Sequence, residues 1–225
     1  MYDTTNTKLI MEGTPLQQVT SIKFLGVIIN NKLTWESHKQ LIFNKICKTL
    51  GILYKCKQFL TENESINMYK TFIQPYFLYG IEIWGHSIKS DNDILVKLQS
   101  KTVRILFNCA RSKDAWRHSN GQITSIQDLY KNVIKKLCMK HHFGMLPHYF
   151  SHGVMPAYNI NQLQNKISRT SLDEMYDYKI PPKLLETNLK VSCIKNWNSL
   201  PLELKTLPYS SSKHKLYRIF KKCID

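Results

Sequence analysis

The apolar positions of this chain change period at one place, and the change divides it. Over 22–29, Ile-Lys-Phe-Leu-Gly-Val-Ile-Ile, the residues are apolar and β-branched, as in a strand buried on one or both faces. Asn30-Asn31 tolerate positive φ and predict a tight turn, with a second short strand after it. Gly26 inside the run predicts a bulge, or a place where another backbone comes close. From Trp35 the period becomes helical. Ile42, Ile46, Leu50 and Leu53 recur at that spacing with Leu41 beside them, and Lys39, Lys45, Lys48 and Lys55 fall between. The pattern predicts an amphipathic helix with a basic outer face.

Three more helices follow in the same style. Thr61 and Glu64 form a capping box ahead of Ile66, Tyr69, Phe72 and Ile73, and Pro75 kinks or ends that helix. Tyr76, Phe77, Tyr79 and Trp84 are interleaved with Leu and Ile, so they read as core rather than as a stacking platform. Ser90-Asp91-Asn92-Asp93 caps a helix running to about Phe107, with Ile94, Leu98, Ile105 and Leu106 inward and Lys97, Lys101 and Arg104 outward. A polar and basic loop is predicted over 111–121. Ser125 and Asp128 cap the next helix, with Leu129, Val133 and Leu137 inside and Lys131, Lys135, Lys136 and Lys140 outside. Over 147–190 periodicity is weak and prolines punctuate a long irregular connection. Val191, Ile194 and Trp197 restore a helical stripe that Pro201 stops. A last helix after Ser210-Ser211-Ser212 buries Leu216, Ile219 and Phe220 and exposes Lys213, Lys215, Arg218, Lys221 and Lys222. The expected fold is mostly α, with a small N-terminal β-hairpin, a helical bundle and a helical, partly irregular C-terminal region.

Charge sharpens this picture. Lys and Arg number 32 against 16 Asp and Glu, a net charge of +16, and acids do not alternate with bases on the helices. A field of that sign favours polyanions, and a basic groove between helices is one way to use it. An AT-rich coding sequence would give the same excess of Lys, Asn and Ile with no role in binding, so charge alone leaves both readings open. The 43% of hydrophobic residues suffices for a core. Cys47, Cys56, Cys109, Cys138, Cys193 and Cys223 are scattered without C-x-x-C pairs and read as reduced, mostly buried thiols. The polar N-terminus carries no signal peptide, and the greasiest stretch, 72–84, contains Gln74, Pro75 and Glu82. The expectation is a soluble intracellular protein with no membrane partner, the compartment being left open between nucleus and cytoplasm.

Chemistry is harder to find. Nucleotidyl transfer needs carboxylates held together for two metal ions, and no Asp-Asp pair occurs. Asp91 and Asp93 read as capping residues. Glycine-rich phosphate loops and G-x-S-x-G elbows are missing as well. Cys138, His141, His142, His148 and His152 lack the paired spacing of a zinc site, and His141-His142 are more simply the positive end of a helix. No catalytic residue and no metal site is assigned.

Several motifs stand in an order that resembles one family. Phe24-Leu25-Gly26 is followed by Thr34-Trp35-Glu36-Ser37-His38, Asn44-Lys45-Ile46, Gly51-Ile52-Leu53-Tyr54, Tyr79-Gly80 with Trp84-Gly85, and Leu98-Gln99 with Lys101, Arg104 and Ile105. Asn6-Thr7-Lys8-Leu9-Ile10-Met11 looks like a worn Asn-x-x-Lys-Thr stretch, and Trp197-Asn198-Ser199-Leu200-Pro201 stands near the end. Together these resemble the C-terminal part of reverse transcriptases of non-LTR (LINE-like, jockey-type) retrotransposons. The resemblance implies a palm edge with a primer-grip-like hairpin over 1–35, built on Phe24, Leu25 and Gly26. It further implies a thumb-like helical domain over 36–117 and a basic helical region over 118–225. In that family the catalytic carboxylates lie upstream, and their Ala-Asp-Asp signature does not occur here. By the resemblance, the intact enzyme is a Mg-dependent RNA-directed DNA polymerase, whereas this chain holds no cofactor and does not polymerise alone. Its partner would be an RNA·DNA duplex held with little sequence preference, with Lys39, Lys45, Lys48, Lys55, Lys97, Lys101 and Arg104 as candidate contacts. The alternatives are a non-catalytic, basic helical nucleic-acid-binding protein, domesticated or unrelated, and a structural helical protein whose lysines reflect genome bias.

Overall fold

The structure, a computed structural model, describes residues 10–142, 145–147, 192, 193, 196 and 199. Two small antiparallel hairpins come first: β1 (Ile10–Met11) with β2 (Thr14–Pro15), and β3 (Ser21–Phe24) with β4 (Val27–Asn30). Helices follow: α1 (Glu36–Cys56), α2 (Glu62–Phe72), α3 (Gln74–Leu78), α4 (Ile81–Trp84), α5 (Ile94–Phe107), α6 (Ser112–His118) and α7 (Ile126–His142). The fold is mostly α with a small N-terminal hairpin region, as the periodicity predicts.

The hairpin differs in detail from the expectation. Its turn is Leu25-Gly26, not Asn30-Asn31. Both turn residues have positive φ, 44° and 83°, which is the two-residue geometry that matches strand twist. Gly26 is therefore a turn residue and not a bulge. β3 is exposed along its whole length, and in β4 Val27 alone is buried. Asn30 has a different task. Its side chain donates to the Thr34 hydroxyl (2.7 Å) and accepts from the Thr34 amide (2.9 Å). That brace holds a strained junction in which Leu33 and Trp35 both take positive φ, with Trp35 buried at the N-terminus of α1. The β1–β2 hairpin, turning at Glu12-Gly13, was not anticipated.

The core is continuous from hairpin to α7. Ile46 and Leu53 of α1 meet Tyr69 and Ile73, Phe77, Ile81 and Trp84, Leu95 and Val103, and Ile126. Each such side chain contributes about 1.5–3 kcal/mol when fully buried. Gln99 of α5 is a buried polar hub. It donates to the Tyr69 hydroxyl and the Thr124 carbonyl (both 2.9 Å) and accepts from the Ile126 amide (2.8 Å), tying α2, α5 and the start of α7. The predicted caps are present: the Thr61–Glu64 box, Asp93 on the Leu95 amide, and Ser125 with Asp128.

Four further expectations change. Residues 112–118 form α6, not loop; Ala115 is buried, and Asn120 and Gly121 end the turn with positive φ. Phe72 and Tyr79 are exposed, while Phe77 and Trp84 are fully buried. Leu137 is half-buried, and Ile134, Cys138 and Met139 take the buried face of α7. Cys47 is exposed, with Cys56 and Cys109 half-buried. The expected connection over 148–190, most of the 191–201 stripe and the last helix lie outside the described residues.

Candidate nucleic-acid interface

Two features could meet a nucleic acid: the turn of the second hairpin and a groove beside α1 and α5. At the turn, Phe24 and Leu25 are exposed, Leu25 at 75%. The Tyr79 hydroxyl donates to the Leu25 carbonyl at 2.6 Å. A Cβ on Gly26 would sit 3.3 Å from the same Tyr79 ring, so close approach and positive φ both favour glycine. Gly80 packs under Val27 in the same way. One residue onward along the hairpin, the Ile28 amide donates to His38 Nδ1 at 3.3 Å. His38 lies edge-on to Trp84 at 5.6 Å, and the Trp84 indole donates to the Tyr79 carbonyl. The quoted motifs around residues 24–26, 38 and 79–85 thus form one clamp that fixes the hairpin to the helices. Burial first, and Lys45 second, hold the His38 imidazole below its ordinary pKa.

The groove has a volume of about 1140 Å³. Its first wall is the α1 stripe Cys47, Gly51 and Tyr54, continuing to Lys57; the second is Lys97, Lys101 and Arg104 of α5. Positions four and three apart share a helix face, which is why three cations of α5 point the same way. Lys113 and Trp116 of α6 and the start of α7 close it. Five cations line it against one carboxylate, Asp91, which accepts from Gln127 at 3.5 Å. Among the described residues no carboxylate pairs with any of the five. Burial lowers the Lys57 pKa, offset in part by the Cys109 thiol. The groove therefore carries unneutralised positive charge that a phosphate would meet directly.

The predicted contacts separate into three groups. Lys97, Lys101 and Arg104 line the groove. Lys48 and Lys55 are exposed but follow Cys47 and Tyr54 in sequence, and so stand about 100° round the helix from its wall. Lys45 lies over the Tyr76 ring at 5.7 Å from its centroid. Lys39 is misassigned: it is buried, donates to the Ser87 carbonyl (3.1 Å) and pairs with Asp93 at 2.6 Å. Its period position on α1 is inward, and its charge is consumed inside the fold. Lys57, Lys113, Tyr54 and Trp116 are groove residues that sequence reasoning missed. A glycine in the middle of a strong helix, Gly51, was the available signal.

The described residues do not fit a polymerase metal site. Among them no group of three His, Cys, Asp or Glu could hold an ion. Asp93 is committed to Lys39 and to the cap of α5. Cys138 donates to the Cys193 carbonyl at 3.4 Å; a hydrogen bond with the Cys193 side chain first, and burial second, raise its pKa. His148 and His152 lie outside the described residues. No helix among those described is long and apolar enough to cross a membrane.

Comparison with known proteins adds homology. The chain is 28% identical over 102 residues to a probable RNA-directed DNA polymerase from transposon BS of Drosophila melanogaster, covering 44% of this chain and 11% of that protein. It is 26% identical over 103 residues to the corresponding protein of transposon X-element, covering 44% and 11%. It is 24% identical over 133 residues to the RNA-directed DNA polymerase from mobile element jockey, covering 56% and 14%. The homologues are thus RNA-directed DNA polymerases of Drosophila mobile elements, in line with the motif resemblance, and the matched segment is 11–14% of their length. No protein-family model and no solved structure matches the chain.

Proposed function

We propose that this chain is the palm-edge, thumb and trailing part of a non-LTR retrotransposon reverse transcriptase, and that it holds template and primer without joining nucleotides. The observation that carries the proposal is the groove, where five cations from two helices, α5 and α6, and the turn after α1 face one carboxylate. Such a surface grips phosphates and leaves base edges unread, which suits an RNA·DNA duplex of any sequence. Phe24, Leu25 and Gly26, clamped by Tyr79, serve as the primer-grip-like turn. The Mg-dependent step is assigned to other residues of the intact polymerase, because among the described residues no three metal-ligating side chains come together. The test is a titration of the purified chain with an RNA·DNA duplex at 50 and 200 mM salt. Five phosphate contacts predict a slope of about −4.5 in log K against log salt, or about a 500-fold loss of affinity. Salt-independent binding, or none, contradicts the proposal, as does Mg-dependent extension of a primer by this chain alone.

A further inference from the structure

The groove carries two groups that a duplex has no use for. Tyr54 is 69% exposed on its wall, and Trp116 lines it from α6. Three residues before Tyr54, on the same face, Gly51 presents bare backbone: a Cβ there would meet nothing within 4 Å. The wall one turn before Tyr54 is therefore open, with no side chain at Gly51 to obstruct a planar group laid on the exposed ring. A duplex turns phosphates outward and keeps its base faces stacked inside. An unpaired strand offers both, and aromatic rings set among cations answer to both. The volume, about 1140 Å³, exceeds the usual 300–1,000 Å³ of a small-ligand pocket. An acidic peptide would use the cations but not the rings.

We propose that the groove takes unpaired nucleotides, with Tyr54 and Trp116 stacking on bases and Lys57, Lys97, Lys101, Arg104 and Lys113 neutralising their phosphates. The inference rests on the nucleic-acid reading of the groove given above and adds the strand state of its ligand. A duplex meets the same cations through its phosphates alone, so the two rings separate the strand states. Because Tyr54 is solvent-exposed, replacing it leaves the core intact; Trp116 packs partly against the core and is the poorer probe.

The experiment measures anisotropy of a labelled single-stranded oligonucleotide and of a blunt RNA·DNA duplex with the full chain, Tyr54→Leu and Tyr54→Phe. Stacking on one base predicts that Tyr54→Leu weakens single-strand binding about 5- to 150-fold. Blunt-duplex binding should stay within about twofold, and Tyr54→Phe should keep single-strand affinity. If Tyr54→Leu weakens both ligands equally, or neither, the inference is overturned. Salt-dependent duplex binding with no effect of Tyr54 on the single strand overturns it alone. Loss of all binding by the unaltered chain overturns the underlying reading with it.

Discussion

Replacing Lys39 by Met should cost folding stability, and its effect on nucleic-acid binding should follow from that loss. Lys39 Nζ sits 2.6 Å from Asp93 Oδ2 and 3.1 Å from the Ser87 carbonyl, with the two side chains only 10% and 9% exposed. Lys39→Met leaves the Asp93 carboxylate buried without its cation. Breaking one side of a buried pair costs about 3–5 kcal/mol, a large part of the 5–15 kcal/mol that holds a typical domain. Asp93→Asn strands Lys39 by a similar amount but keeps an oxygen for the Leu95 amide. Asp93→Ala loses that cap as well, about 1 kcal/mol more. The double variant Lys39→Met/Asp93→Asn removes both charges and should recover most of the loss, because no buried charge is then left without a partner. Urea denaturation of the unaltered chain, Lys39→Met, Asp93→Asn and the double variant gives the coupling energy directly. A loss below about 1 kcal/mol for Lys39→Met, or a double variant that loses the sum of the singles, refutes the structural role assigned to this lysine.

Three other outcomes are expected. Gly85→Ala should destabilise by about 1–3 kcal/mol, since a Cβ there would overlap the Tyr130 ring and lie 2.8 Å from Ile81 Cγ1; an unchanged denaturation midpoint argues against that packing. Gly51→Ala should stabilise by about 0.5–1 kcal/mol, because the added methyl enters open groove and the helix interior gains from alanine; a lowered melting temperature would count against it. Acidification should loosen the hairpin through His38, whose folded pKa is held below the ordinary 6.5 by burial and by Lys45. The unfolded chain then binds the proton first, so this stability is fully present above pH 6.5 and is lost as pH falls toward the lowered folded value. His86 is shifted the same way, chiefly by burial, so urea midpoints should fall below pH 6.5, less steeply in His38→Gln; midpoints that rise on acidification contradict it.

The helices were legible because their evidence is local. Ile42, Ile46, Leu50 and Leu53 give the inner face of α1, and Thr61 with Glu64, Asp93, and Ser125 with Asp128 announce three starts. The hairpin turn was not legible. Asn30-Asn31 have the stronger intrinsic turn preference, whereas Leu25 accepts positive φ in a turn clamped by Tyr79, 54 residues away. α6 escaped because seven mostly polar residues bury little besides Ala115. In the groove, the i, i+4, i+7 spacing of Lys97, Lys101 and Arg104 could be read from sequence alone. Lys57 and Lys113 could not, since only packing brings them to the same wall. Lys39 shows the opposite failure: a charge read as outward stands at a core position because its partner, Asp93, waits on another helix.

The most direct test of the central claim is the salt dependence of RNA·DNA binding by the chain and by a Lys97→Gln/Lys101→Gln/Arg104→Gln variant. The three residues are exposed, so the variant should fold. If they neutralise phosphates, the slope of log K against log salt becomes shallower by about 2.7. A folded variant with an unchanged slope would contradict the assignment of this groove as the nucleic-acid grip.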